Sequence, residues 1–246
     1  MYEDFAGVYD SLTGDVDYKK RADYLKTLFK RFDRMPTLLL DLACGTGGFS
    51  NEFAGDGVSV IGVDISPEML NVAKEKSDKQ KLDVLYLCQS ASKLDLYGTV
   101  DGAICCLDSL NHITDYEELK ESFERVSLFL ERDRLFIFDV NTEYKHREIL
   151  GNNTFVIEDE NIYCVWQNEC QDGKTVDMCL DFFKENKNGL YERSQEFITE
   201  RAYSEEELGY ALENSGFEVL SVYGENSFEK PQKDTQRAVY IARKVK

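Results

Sequence analysis

Two carboxylates and a cluster of glycines stand at spacings suited to holding a nucleoside. The run Leu38-Leu39-Leu40-Asp41-Leu42-Ala43-Cys44-Gly45-Thr46-Gly47 is followed, seventeen residues after Gly47, by the acid closing Ile61-Gly62-Val63-Asp64. Its nearly continuous apolar character is that of a parallel strand buried on both faces. Three glycines between Cys44 and Gly48 then remove Cβ atoms where backbone must approach a ligand closely. The spacing predicts a helix from Gly48 to Ala54, whose first amides form a partly positive rim. A second strand, Val58 to Val63, ends on Asp64, where a carboxylate can accept both hydroxyls of a ribose.

Two cofactor classes use such a unit. A dinucleotide fingerprint, G-x-G-x-x-G, needs a third small residue at position 50 for tight helix–strand packing, and this chain has Ser50 there. Asp41, four residues before the first glycine, suits a cationic ligand better than a pyrophosphate. The pattern D-x-A-C-G-T-G followed by V-D-I-S-P-E-M-L resembles the class I S-adenosylmethionine-dependent methyltransferases, over roughly residues 35 to 142.

That resemblance implies S-adenosyl-L-methionine as cofactor and assigns residues to it. Asp41, Ala43, Gly45 and Gly47 would line its methionyl and ribose part, Asp64 would hold the ribose diol, and Ile65 would stack on adenine with Met69 adding to the apolar wall. The family's third motif normally carries an acid that meets the adenine amino group. Here it reads Gln89-Ser90-Ala91, so Ser90 and Ala91 would reach the ring through a hydroxyl or a backbone amide. The stretch Leu107-Asp108-Ser109-Leu110-Asn111-His112 would form the methyl-transfer edge, with Leu107 on the cofactor and Asn111 on the acceptor. Tyr9, in the leading segment, would fold over the cofactor.

A sulfonium is already an activated methyl donor, so the protein has chiefly to hold a nucleophile in line and exclude water. Where the nucleophile carries a proton, His112 is the candidate base and Asp108 the alternative. A lone histidine after a strand serves equally as a structural hydrogen-bonding group. Acceptor contacts are expected from Tyr144, beside His146 just past the fifth strand, and from Trp166, Arg201 and Tyr203. Alternation puts Tyr203, Arg201 and Thr199 on one strand face. The function expected is methyl transfer to a small molecule. The alternatives are a protein or RNA acceptor, and a sensor or partner subunit that binds the cofactor without transferring methyl.

The positioning elements follow an α/β order. Apolar positions at Tyr18, Ala22, Leu25, Leu28, Phe29 and Phe32 predict an amphipathic helix over 15–32. Ser66 and Pro67 start a helix running to about Lys76. A strand at 83–87, a strand at 100–106, a helix at 116–130 and a strand at 134–140 continue the alternation, which predicts a doubly wound parallel sheet. From 155 to 203 the period becomes two, in segments 155–159, 162–169, 175–184 and 191–202. The expected organisation is therefore a Rossmann-like core of residues 1–151 and 204–246, with an antiparallel β insertion, 152–203, capping the site after strand five. Ser204 with Glu207 forms a capping box, Gly216 ends that helix, and strands at 217–223 and 237–243 pair antiparallel. The core sheet is thus seven-stranded and mostly parallel, its last strand antiparallel.

Composition narrows the partners. The chain of 246 residues carries 47 acids against 29 bases, a net charge of −18, which opposes the phosphate neutralisation on which nucleic-acid binding depends. A small-molecule acceptor fits better, and the insertion's outer face could pair with a second copy as a homodimer. No apolar stretch approaches the ~20 residues of a membrane span, and Met1-Tyr2-Glu3-Asp4 lacks a basic region followed by an apolar one, so a cytoplasmic protein is expected. Seven cysteines without C-x-x-C spacing and two histidines predict no metal site.

Overall fold

The computed structural model describes residue 14, residues 16–159 and residues 161–246. Helix α1 (Tyr18–Phe32), capped by the Asp17 side chain, leads into β1 (Leu38–Leu42), α2 (Gly48–Gly55), β2 (Ser59–Asp64), α3 (Pro67–Gln80) and β3 (Val84–Cys88). Next come β4 (Gly102–Cys105), α4 (Tyr116–Phe129) and β5 (Leu135–Asn141). Strands β6 (Thr154–Asp159), β7 (Ile162–Glu169), β8 (Thr175–Glu185) and β9 (Tyr191–Arg201) form a separate sheet. Helix α5 (Glu205–Asn214), β10 (Phe217–Gly224) and β11 (Arg237–Lys244) complete the core.

The seven-stranded sheet runs β10-β11-β5-β4-β1-β2-β3, which reverses direction of build between β1 and β4. A crevice at the carboxyl ends of those two strands follows from that reversal. Strand β1 lies between β2 and β4, with Leu39 opposite both Val60 and Gly102, which is why its sequence is apolar on both faces. Leu39, Ile104, Ile137 and Ile241 pack beneath α1, against Ala22, Leu28 and Phe29. Leu40, Ala103, Phe136 and Phe138 meet Phe123, Val126 and Leu212 on the opposite face. The period-two alternation of each strand therefore feeds two separate apolar layers.

The last strand is antiparallel as expected, and it also enters between its predecessor and β5, antiparallel to both. Helix α3 runs four residues past the expected end, to Gln80. Its last turn is polar, so apolar periodicity could not mark it; the stop is Lys81, at φ 59°. The capping box of Ser204 and Glu207 forms as read. The second sheet is antiparallel throughout, in the order β6-β7-β8-β9. Its inner face, with Cys164, Val176, Met178, Leu180 and Phe182, shares an apolar cluster with Leu150 and with Met69 of α3. No helix among the described residues is long and apolar enough to cross a membrane.

Phe123 is fully buried and packs at ring-centroid distances of 6.1 Å on Phe136 and 5.5 Å on Phe138. Phe123→Ala is expected to lower the unfolding free energy by about 3–5 kcal/mol in urea denaturation; a loss under about 1 kcal/mol would mean that this layer is not load-sharing core.

Candidate active site

The chain leaves β1 with Ala43, Gly45 and Gly47 all at positive φ. Cys44 N–H donates to the Val63 carbonyl at 2.9 Å, which fastens the turn to the end of β2. The glycines differ in purpose. A Cβ on Gly47 would stand 2.5 Å from Tyr86 Oη and 3.0 Å from Ala73 Cβ, so this position serves packing. A Cβ on Gly45 would have nothing within 4 Å among the described residues, so this position opens away from the packed core. That opening at the switch point is the cradle a ligand would fill.

Asp64 closes the cradle from β2. One carboxylate oxygen accepts from Gly45 N–H at 2.8 Å and the other from Ser66 N–H at 2.9 Å, so it joins the glycine turn to the start of α3. It is 9% exposed, and burial raises its pKa despite the amides of Ser66, Gly45 and Ile65. Ile65 beside it is 64% exposed, as an apolar wall awaiting a planar ring would be. Ser90 and Ala91 begin a short turn after β3, tethered by Gln89 N–H donating to the Asp64 carbonyl at 2.9 Å. The site thus brings Ala43, Gly45, Gly47, Asp64, Ile65, Ser90 and Ala91 together at adjacent strand ends. Met69 departs from expectation, because its side chain is buried in the cluster joining α3 to the second sheet. Tyr9 lies outside the described residues.

Asp41 is 1% exposed and accepts a hydrogen bond from Ser50 Oγ at 2.6 Å. The residue that breaks the dinucleotide pattern is thus the partner of the buried acid. Burial pushes the Asp41 carboxyl up to about 7, against the Ser50 hydrogen bond and aided by the charge of Asp64.

After β4 two successive non-glycine residues, Leu107 and Asp108, adopt φ 56° and 52°. Such backbone persists only where its surroundings enforce it. Here the enforcing group is Asp139, near the end of β5, whose two oxygens accept from Leu107 N–H at 2.9 Å and Asp108 N–H at 2.7 Å. Arg237, from β11, lies 2.8 Å from Asp108 and 3.3 Å from Asp139. Asn141 donates to Asp108 and, at 3.1 Å, to Glu200 of β9. Burial would raise the Asp108 carboxyl, but Arg237, Lys145 and His112 hold it down at about 2. An acid so weakly basic and so fully engaged is a poor proton acceptor, which corrects its candidacy as base.

Several expected acceptor contacts also move into the framework. Asn111 is fully buried, donating to the Arg201 carbonyl at 2.9 Å and accepting from Asn141 N–H at 2.9 Å. Tyr203 is buried with its hydroxyl donating to the Ile113 carbonyl. Arg201 pairs with Glu207 at 2.7 Å and lies over the Tyr203 ring. Trp166 packs on Phe155 inside the second sheet, with centroids 5.3 Å apart. Tyr144 precedes the wide helical turn at 145–150, half-buried. His112 stays accessible, its side chain 41% exposed, and lies close enough to act electrostatically on both Asp64 and Asp108.

Sequence reading missed Asp139, Arg237 and Glu200. Asp139 carried a signal, since an acid interrupting an apolar strand near its carboxyl end repeats the pattern of Asp41 in β1. Glu200 carried one too: the inward face of β9 is Glu196, Ile198 and Glu200, the set that alternates with Thr199 and Arg201.

Residues 39–133 match a family described as a methyltransferase domain. The YqeM methyltransferase-family protein of Bacillus subtilis (strain 168) is 31% identical over 248 residues, covering 100% of this chain and 98% of its own. A methyltransferase-family protein of Geobacillus sp. (strain WCH70) is 30% identical over 247 residues, covering 99% of each chain. Among solved structures, an S-adenosylmethionine-dependent methyltransferase from Clostridium acetobutylicum ATCC 824 superposes with a TM-score of 0.91 at 35% identity, over 100% of this chain and 99% of that one.

Arg237→Leu leaves two buried carboxylates unpaired and is expected to cost about 3–5 kcal/mol of stability at neutral pH. Without the guanidinium both acids are raised in the folded state, so the deficit exists above the ordinary carboxylate range, about pH 4, and fades below it. Denaturant unfolding of both proteins across pH checks this; an equal deficit at every pH would mean that the loss is packing alone.

Proposed function

The chain belongs to the class I S-adenosylmethionine-dependent methyltransferases, and from that premise we propose that its acceptor is a small molecule taken up between the strand ends of the core and the second sheet. One observation carries this reading. Glu200 of the second sheet reaches to within 3.7 Å of His112, so the chain's own insertion borders the edge where transfer would occur. A net charge of −18 supports the same reading by opposing a polyanionic acceptor.

The residues present fit the cofactor. Gly45 leaves the open cradle, Asp64 stands where a ribose diol would bind, and Ile65 offers an exposed apolar face for adenine, with Ser90 and Ala91 on its rim. Ala43, Gly47 and Leu107 contribute backbone held in fixed, left-handed geometry. When bound, S-adenosylmethionine supplies a methyl group already activated on a sulfonium sulfur. The protein's share is then to orient the acceptor, exclude water and receive a proton where the acceptor releases one. His112 is the group for that proton, being the accessible base in the short turn that follows β4, whereas Asp108 is committed to Arg237.

Incubating the protein with methyl-labelled donor and a cell extract split by size is the direct test: label is expected in the small-molecule fraction, and label found only in protein or RNA would refute the reading. Titration calorimetry tests the cofactor contacts separately. Asp64→Ala should weaken cofactor binding by roughly 10–100-fold, the loss of about 1.5–3 kcal/mol in charged hydrogen bonds. Asp41 gives a pH signature. Its carboxyl, raised to about 7, is protonated in the ligand-free protein below that pH, so a cationic ligand must displace the proton and binds less tightly there. Affinity should rise with pH up to about 7 and then level off, and Asp41→Asn should remove the rise. A pH-independent affinity in the wild type would separate Asp41 from the ligand.

A further inference from the structure

His146 is fully buried in the turn after β5, and its Nδ1 lies 2.6 Å from the Lys174 carbonyl. A carbonyl oxygen only accepts, so Nδ1 carries a proton. The other ring nitrogen, Nε2, has no hydrogen-bond partner among the described residues and stands 3.4 Å from one oxygen of Glu200. The second oxygen of Glu200 faces His112 Nε2 at 3.7 Å, while Asn141 donates to the carboxylate at 3.1 Å. Glu200, with its side chain only 7% exposed, is therefore a buried carboxylate with an imidazole on each oxygen.

We propose that Glu200 is a positioning residue that orients His112 and offsets the charge it gains when it takes the proton of an N–H or O–H acceptor. The inference rests on the methyl-transfer reading above and narrows its acceptor class. With Nε2 turned to Glu200, Nδ1 is the nitrogen of His112 left to take the proton. The nitrogen or oxygen of the acceptor forms the bond to the methyl carbon, and the carbon–sulfur bond breaks with its pair going to sulfur. The proton released from that nitrogen or oxygen passes to His112, leaving an imidazolium beside the Glu200 carboxylate. An acceptor without such a proton would give this pair nothing to do.

Other charges face the pair and must be held constant. Asp64 from β2 and Asp108 after β4 interact electrostatically with His112, Lys145 acts on Asp108, and Arg237 of β11 feels Glu200. Glu200→Gln keeps shape and leaves all of these in place. The chain has two histidines, so nitrogen NMR of the imidazoles across pH, on the full chain with S-adenosylhomocysteine added, reads both without ambiguity. The expected result is that Glu200→Gln makes both rings release their protons at lower pH, a loss of about tenfold in proton affinity for His112. An unmoved His112 curve overturns the proposal, including the case in which only His146 shifts. Glu200→Asp, which keeps the charge but withdraws it by one methylene, should shift His112 in the same direction by less, and it serves if the glutamine variant does not fold. With a labelled acceptor in hand, Glu200→Gln should lower kcat, leave KM nearly unchanged and move the rising limb of the pH–rate profile to lower pH. An unchanged profile would contradict the role. Failure to find any small-molecule acceptor would refute the small-molecule reading and leave the NMR result to decide the Glu200–His112 contact by itself.

Discussion

A guanidinium set between two carboxylates, Arg237 against Asp108 and Asp139, lets the protein bury charge at the ends of adjacent strands. Without the cation, two acids so close together and so far from water would repel each other and take up protons. With it, Asp139 stays available to grip the amides of Leu107 and Asp108 and to hold both residues in left-handed backbone. That turn is one wall of the proposed site. The same network runs on through Asn141 to Glu200, so the second sheet is tied to the core by the residues that shape the site.

The opposite wall is built by a lighter device. Asp64 accepts from two backbone amides that belong to the glycine turn and to the start of α3, so one side chain sets the distance between two loops. Ser50 and Asp41 do a related service one layer deeper. Both walls use a carboxylate at a strand end to organise backbone, and a cationic cofactor suits a site with that many acids around it.

The core was legible because its signals are local. The apolar run of β1, the glycine turn and the acid at Asp64 are close in sequence, and their spacing alone locates the crevice. The second sheet could be recognised from its alternation, yet alternation says only that two faces differ, not which one turns inward. The face with Arg201 and Tyr203 braces the framework, while Glu200 on the other face lies 3.7 Å from His112. Arg237 was out of reach for another reason: its partners lie 129 and 98 positions earlier in the chain, and only the insertion of β11 beside β5 brings them together. Asn111 illustrates a third limit, since a buried amide serving backbone groups looks the same in sequence as one awaiting a substrate.

In the proposed site, the turn after β4 and the Asp64 clasp form a cradle already shaped for the cofactor. A crystal structure of the protein bound to S-adenosylhomocysteine tests it most directly. Ribose hydroxyls are expected on Asp64 and adenine against Ile65, with Leu107 and Asp108 still at positive φ and Asp139 and Arg237 in place. A ligand seated away from Asp64, or a turn that relaxes to ordinary backbone on binding, would contradict it.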